Sequence, residues 1–224
     1  ESRFTLPKDN INSNYYFIVN DYVTCSLFGY HRPPDIDFND YTWAQTNDTS
    51  VNVYAVRAKS TDKDGYFYMS SSNEASAGIT LTSSVIPNLF DDTEWNLAVR
   101  FVPVKNPLET AVSGGIVPDP AGTLDPTQVL YQFEMKGYSL RAGLVDHEFE
   151  VSSSQFDHSN NNAGKFWSLI NPKRFYIGAH RTNWTGSVYN NGYSFAKFHN
   201  FNFWMNYVSD DDLKSHLKDS KNYG

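Results

Sequence analysis

The stretch Asp146-His147-Glu148-Phe149-Glu150 holds three carboxylates and a histidine in five residues. On an extended strand successive side chains alternate, so Asp146, Glu148 and Glu150 share one face while Val145, His147, Phe149 and Val151 share the other. Neighbouring carboxylates on that face would stand roughly 6 to 7 Å apart. Paired carboxylates at such separations can act as acid and nucleophile, or acid and base, on a glycosidic bond. A strand packed on one side, with its acids on a solvated face, gives the same pattern, and an outer face needs no further cause for its charge.

Other reactive groups are more scattered. Asp210, Asp211 and Asp212 could be calcium ligands, but they also suit the positive end of a helix dipole. "DKDG" at 62–65 begins like a calcium-binding loop and lacks the glutamate that closes one. The six histidines, His31, His147, His158, His180, His199 and His216, show no metal-ligand spacing, and no serine sits in a nucleophile elbow. The single cysteine, Cys25, lies in a strand-like run and reads as a small buried hydrophobe. Trp43, Trp167 and Trp184 could stack on sugar rings, or fill a core or an interface. Asn47-Asp48-Thr49 and Asn183-Trp184-Thr185 fit the glycosylation triplet, a pattern frequent by chance.

Elements rich in aromatics must position these groups. The 224 residues include 15 Tyr, 16 Phe and 5 Trp, which favour pleated, half-buried strands. This length is compatible with one β-sandwich, and the chain, which has no initiator methionine, reads as a domain excised from something larger. The net charge of −7 argues against nucleic acid and against an anionic membrane surface as partners. No apolar run reaches the roughly 18 residues that would cross a bilayer, so membrane insertion is not expected.

Strands are expected over 50–59, 77–86 and 94–104. In the last of these, Trp95, Leu97, Val99 and Phe101 share a face opposite Asn96, Ala98 and Arg100. More strands are expected within 14–32, 128–156, 171–180 and 192–208. Asp64-Gly65 and Asn191-Gly192 read as tight hairpin turns. Residues 103–128, with five prolines, form a long loop insertion. "RFYIGAHRTNWTGSV" reads as a strand that turns through His180 to Asn183, architecture rather than active site. One helix follows, with Ser209 as N-cap, Asp212 closing a capping box, and Leu213 above Leu217.

"DDTEWNLAVRF", then "RFYIGAHRTNWTGSV", then "FAKFHNFNFWMNYVSDDDLKSHLKD" resembles, in order, the laminin G-like branch of the concanavalin A-like jelly rolls. The wording of "SLFGYHR", "VNVYAVR", "LTSSVI" and "WNLAVRF" is similar to modules of large virion proteins of tailed marine bacteriophages. The resemblance implies an all-β, two-sheet antiparallel sandwich over 1–224 with one short C-terminal helix. It also implies a non-catalytic structural or adhesive role on a virion or another extracellular surface, in a tail fibre, baseplate or capsid surface.

The partners it implies are other virion proteins or a host surface glycan, and an oligomer is compatible with it. A carbohydrate-binding lectin is the alternative, with Trp43, Trp167 and Trp184 as candidate stacking residues. A glycoside hydrolase comes third. Family-16 glycosidases carry Glu-x-Asp-x-x-Glu or Glu-x-Asp-x-Glu, whereas here Asp146 leads and Glu148 is central, so the activity is not carried over. No cofactor is expected; laminin G-like modules often hold Ca2+ at a loop rim, but no residue here matches that site.

Overall fold

Alternation in the sequence becomes alternation in burial. The computed structural model describes residues 1–8, 24–31, 50–59, 61–72, 78–105, 130–157, 174–181, 188–193, 196–204 and 207–219. Thirteen strands occur among them. They are β1 (Ser2–Leu6), β2 (Thr24–His31), β3 (Ser50–Val56), β4 (Tyr66–Ser72), β5 (Thr80–Thr82), β6 (Thr93–Lys105) and β7 (Leu130–Arg141), followed by β8 (Leu144–Ser152), β9 (Phe156–Asp157), β10 (Arg174–Ile177), β11 (Ala179–Arg181), β12 (Val188–Tyr193) and β13 (Lys197–Phe201). A helix, α1, covers Asp210–Lys218.

The first sheet has the order β13-β1-β6-β7-β8, with β9 also on β7; the second has β10-β2-β3-β4-β5; β11 and β12 form a short pair of their own. The named pairings are antiparallel. The protein is an all-β two-sheet sandwich with a short C-terminal helix.

Facing side chains of the two sheets make the core. Val51, Val53 and Ala55 on β3 are buried, as are Trp95 and Leu97 on β6 and Phe67 and Met69 on β4. The Phe67 ring sits 5.1 Å from Trp95, 5.4 Å from Phe149 and 6.1 Å from Phe4, tying one sheet to the other. Each such side chain contributes about 1.5 to 3 kcal/mol by leaving water. Cys25 is buried in this core as expected.

The turn signals fare differently. Val56 pairs with Tyr66, so the chain reverses over 57–65 rather than at Asp64-Gly65. Gly65 instead bridges Ile86, and a Cβ there would stand 2.5 Å from the Val56 carbonyl oxygen, so this glycine serves close packing. The tight turn lies at Ala142-Gly143, both with positive φ, between β7 and β8. Asn191-Gly192 falls inside β12, between the Val188↔Arg181 and Tyr193↔Ala179 pairs, where the register with β11 shifts.

Gly178, whose φ is +72°, separates β10 from β11; of the bend expected at His180–Asn183, His180 and Arg181 belong to β11 and 182–183 lie outside the described residues. The Gly178 amide donates to the Leu27 carbonyl at 2.7 Å, after which the chain leaves the second sheet as β11. Within the expected 192–208 strand region, β13 stops at Phe201. Residues 106–128 of the expected loop lie outside the described residues, while 103–105 belong to β6.

Helix α1 forms as its local sequence dictates. Ser209 Oγ accepts from the Asp212 amide at 3.1 Å, and Asp212 Oδ2 accepts from the Ser209 amide at 3.1 Å. Leu213 and Leu217 pack with Ala98 and Tyr138 on the outer face of the first sheet. That face of β6 and β7 is therefore covered, although its alternating polar residues look solvated.

Candidate functional site

The acidic strand β8 lies at an edge of the first sheet, and each of its three carboxylates is met by a basic side chain. Glu150 Oε2 is 2.7 Å and Glu148 Oε1 3.3 Å from Lys136 Nζ on β7, and Lys214 of α1 stands 3.7 Å from Glu148. The β7–β8 register shifts between Tyr138 and Leu140, which puts both Asp146 and His147 opposite Ser139. Asp146 then lies 3.3 Å from Arg141 Nε and 3.6 Å from His147 Nε2. The single row of three carboxylates expected from strict alternation is broken by this bulge. His147 turns inward and stacks on Trp95 at 6.2 Å, inclined by only 7°.

Under α1 the charges are buried. The Arg100 guanidinium pairs with Glu134 and, at 2.7 Å, with Asp210; Asp210 also reaches Lys136 at 3.0 Å. Burial alone would raise the Asp210 carboxyl, but hydrogen bonds from Lys136 and Arg100 outweigh it and hold the group below its ordinary value. Burial likewise opposes the charge on Lys136, and the bonds to Glu150 and Asp210 reverse the effect, raising the ammonium well above its usual value. Burial pushes the neighbouring Tyr138 phenol up to about 12. Asp212 thus serves capping and Asp210 ion pairing. Among the described residues no group of three or more His, Cys, Asp or Glu is arranged to hold a metal ion.

The other concentration of chemistry is a cavity of about 340 Å³ at one end of the sandwich. The β1–β6 pairing runs from Leu6↔Thr93 to Ser2↔Leu97, and Glu1 and Ala98 to Phe101 next to that end line the cavity. Rings fill the surrounding walls. Phe175 lies 5.7 Å from Tyr30, 5.6 Å from Phe201 and 4.9 Å from Phe203, and Phe101 meets Phe133 edge-on at 5.0 Å.

Phe203 and Tyr207, at the opening, are 52% and 56% exposed, large values for aromatic rings. Arg100 forms part of the wall; Tyr207 lies 5.1 Å from its guanidinium, and its Nη1 donates to the Val208 carbonyl at 2.9 Å. No family model, curated protein or solved structure matches this chain.

A buried carboxylate fixes the segment that follows β13. Glu1 accepts from Trp204 Nε1 at 2.7 Å and from Asn96 Nδ2 at 2.8 Å, and lies 3.0 Å from His216 Nδ1. The same Asn96 nitrogen donates to the Leu213 carbonyl at 2.9 Å. Trp204 is thereby tied to the sheet and to α1, which holds Phe203 beside Phe175.

Trp43, Trp167, Trp184 and both glycosylation triplets lie outside the described residues, as does His158. Asp64 closes its loop by accepting from the Asn88 amide at 2.9 Å. Phe175, Phe203, Tyr207 and Arg100 were not among the sequence candidates. The crowding of rings in "FHNFNFWMNYV" is the one signal that points toward them.

Proposed function

We propose that this chain is a non-catalytic structural or adhesive module of a larger assembly, and that the aromatic end of the sandwich is its contact surface. The observation that carries this reading is the exposure of Phe203 and Tyr207 at the mouth of a ring-lined cavity, because exposed apolar clusters mark interaction sites. The carboxylates of β8 are engaged with Lys136, Lys214 and Arg141, which suits a scaffold better than a cleft built for hydrolysis. The likeness of its strand motifs to virion modules supports a phage particle as the assembly and another virion protein as the partner.

Photo-cross-linking from a benzoylphenylalanine at position 203, in the assembly that carries the chain, tests this. The expected result is a cross-link to a protein of the same assembly, absent when the probe replaces the exposed Leu144 at the β7–β8 turn. Equal cross-linking from both positions would overturn the reading.

Glycan binding is the second reading, and one observation favours it. Tyr54 and Tyr68 stack at 6.2 Å on the outer face of the second sheet, and Asn52 of that face accepts from the Tyr176 hydroxyl. Asn52 is buried, so the half-buried tyrosine rings themselves are the surface on which a sugar ring can lie.

A further inference from the structure

Helix α1 rests on β6 and β7 through few apolar side chains. Leu213 and Leu217 meet Ala98 and Tyr138, with Leu140 and Val208 at the margin, and this cluster is separate from the core between the sheets. The rest of the seam is polar. Asp210 reaches Arg100 and Lys136, Lys214 reaches Glu148, His216 reaches Glu1, and Asn96 donates to the Leu213 carbonyl.

The charges on the sheet side of that seam have further partners outside the helix. Arg100 keeps Glu134, Lys136 keeps Glu150 and Glu148, and Glu1 keeps Asn96 and Trp204 when α1 is lifted away. Lifting the helix therefore strands no buried ion, the event that makes a charged interface costly to break. Docking, in turn, leaves polar atoms unmet. Asn96 Oδ1, Arg100 Nε and His216 Nε2 are buried without a hydrogen-bond partner among the described residues, and all three belong to side chains of the seam. Each carries a desolvation penalty that water removes once the seam opens. An element with few apolar contacts, packed apart from the main core, opens at a lower free energy than the whole domain.

From these features we infer that α1 is a latch, which lifts from β6 and β7 as a unit while the two-sheet core stays folded. Ala98, Val208 and Leu213 also line the aromatic cavity, so lifting α1 opens one of its walls. The latch couples the outer face of the first sheet to the cavity, whatever the cavity contacts.

The test is thiol labelling of the intact protein carrying Ala98→Cys, a small change at a buried position beneath the helix. Cys25, the one native cysteine, is buried in the core between the sheets and reports global opening in the same molecule. At low concentration of a methanethiosulfonate reagent, with each thiol referred to its own rate in urea, the introduced thiol should react at least ~30-fold faster than Cys25. Val53→Ala, in the core, should speed Cys25 at least ~5-fold and leave the introduced thiol unchanged, because that core stays folded when the latch lifts. Leu217→Ala should speed the introduced thiol at least ~10-fold. Leu217 is not among the described residues lining the cavity, so that acceleration separates lifting of the helix from entry of reagent through the cavity. In the unaltered protein, hydrogen exchange of the Leu213 amide, bonded to the Ser209 carbonyl, against that of Leu97 gives the same comparison.

Equal rates for the two thiols, or an introduced thiol that accelerates with Val53→Ala as much as Cys25 does, would overturn the latch, because the helix would then open only with the whole domain. No response to Leu217→Ala would overturn it as well, as would loss of the two-sheet core in that variant.

Discussion

Asp210 Oδ2 lies 3.0 Å from Lys136 Nζ, joining the first turn of α1 to the middle of β7. The other oxygen of the same carboxylate holds Arg100 on β6 at 2.7 Å, so one side chain fastens the helix to two strands. The sequence places Asp210 at a helix start, where its charge already favours the dipole.

Removing either partner of Arg100 should destabilise the protein, but unequally. Glu134 is as buried as Arg100, so Glu134→Ala leaves a buried cation short of its counter-charge and should cost roughly 3 to 5 kcal/mol. Asp210 is 41% exposed, and water can replace part of its role; Asp210→Asn should cost about 1 to 2 kcal/mol. Urea unfolding of the two variants checks the order, and equal losses would contradict it.

Acid should weaken the same clamp. The folded Asp210 carboxyl lies below its unfolded value, so its contribution is complete above about pH 4 and is lost as pH falls through the folded value. Stability measured against pH should therefore fall less steeply on the acid side in Asp210→Asn than in the parent.

At high pH the sign reverses. Tyr138 is raised to about 12, so its neutral form stabilises the fold fully below about pH 10, and that contribution is lost as pH rises through the folded value. Burial also raises Tyr176 well above the ordinary phenol value, so ultraviolet titration should show late-ionising phenols, one fewer of them in Tyr138→Phe.

Glycine positions separate two kinds of constraint. At Gly29 an added Cβ would stand 2.2 Å from the Val51 carbonyl oxygen, within the β2–β3 pairing, so Gly29→Ala should cost roughly 1 to 3 kcal/mol through displaced strands. Gly143 has nothing within 4 Å, and its constraint is a φ of +81° alone. Asparagine tolerates left-handed backbone better than alanine, so Gly143→Asn should be milder than Gly143→Ala. Thermal melts of the three variants test both statements.

What was legible in the sequence was local. The capping box of Ser209 and Asp212 and the inward row Trp95, Leu97, Val99 and Phe101 depend on residues a few places apart. The Asp-Gly signal misled because pairing overrides intrinsic turn preference: Gly65 is held in a bridge to Ile86, while Asn191-Gly192 falls where the β11–β12 register shifts. The alternation of Glu134, Lys136 and Tyr138 reads as a wet face, and only the docking of α1 some seventy residues later buries it. The cavity gathers Tyr30, Phe101, Phe175 and Phe203 from four parts of the chain, and nothing local announces their meeting.

The most direct check on the central claim, a protein-contacting rather than sugar-binding module, is a glycan array on the purified protein, run with calcium and again with chelator. The account predicts no selective signal on either arm. Selective glycan binding would contradict it, and loss of that signal in Tyr68→Ala would move the function to the tyrosine face of the second sheet.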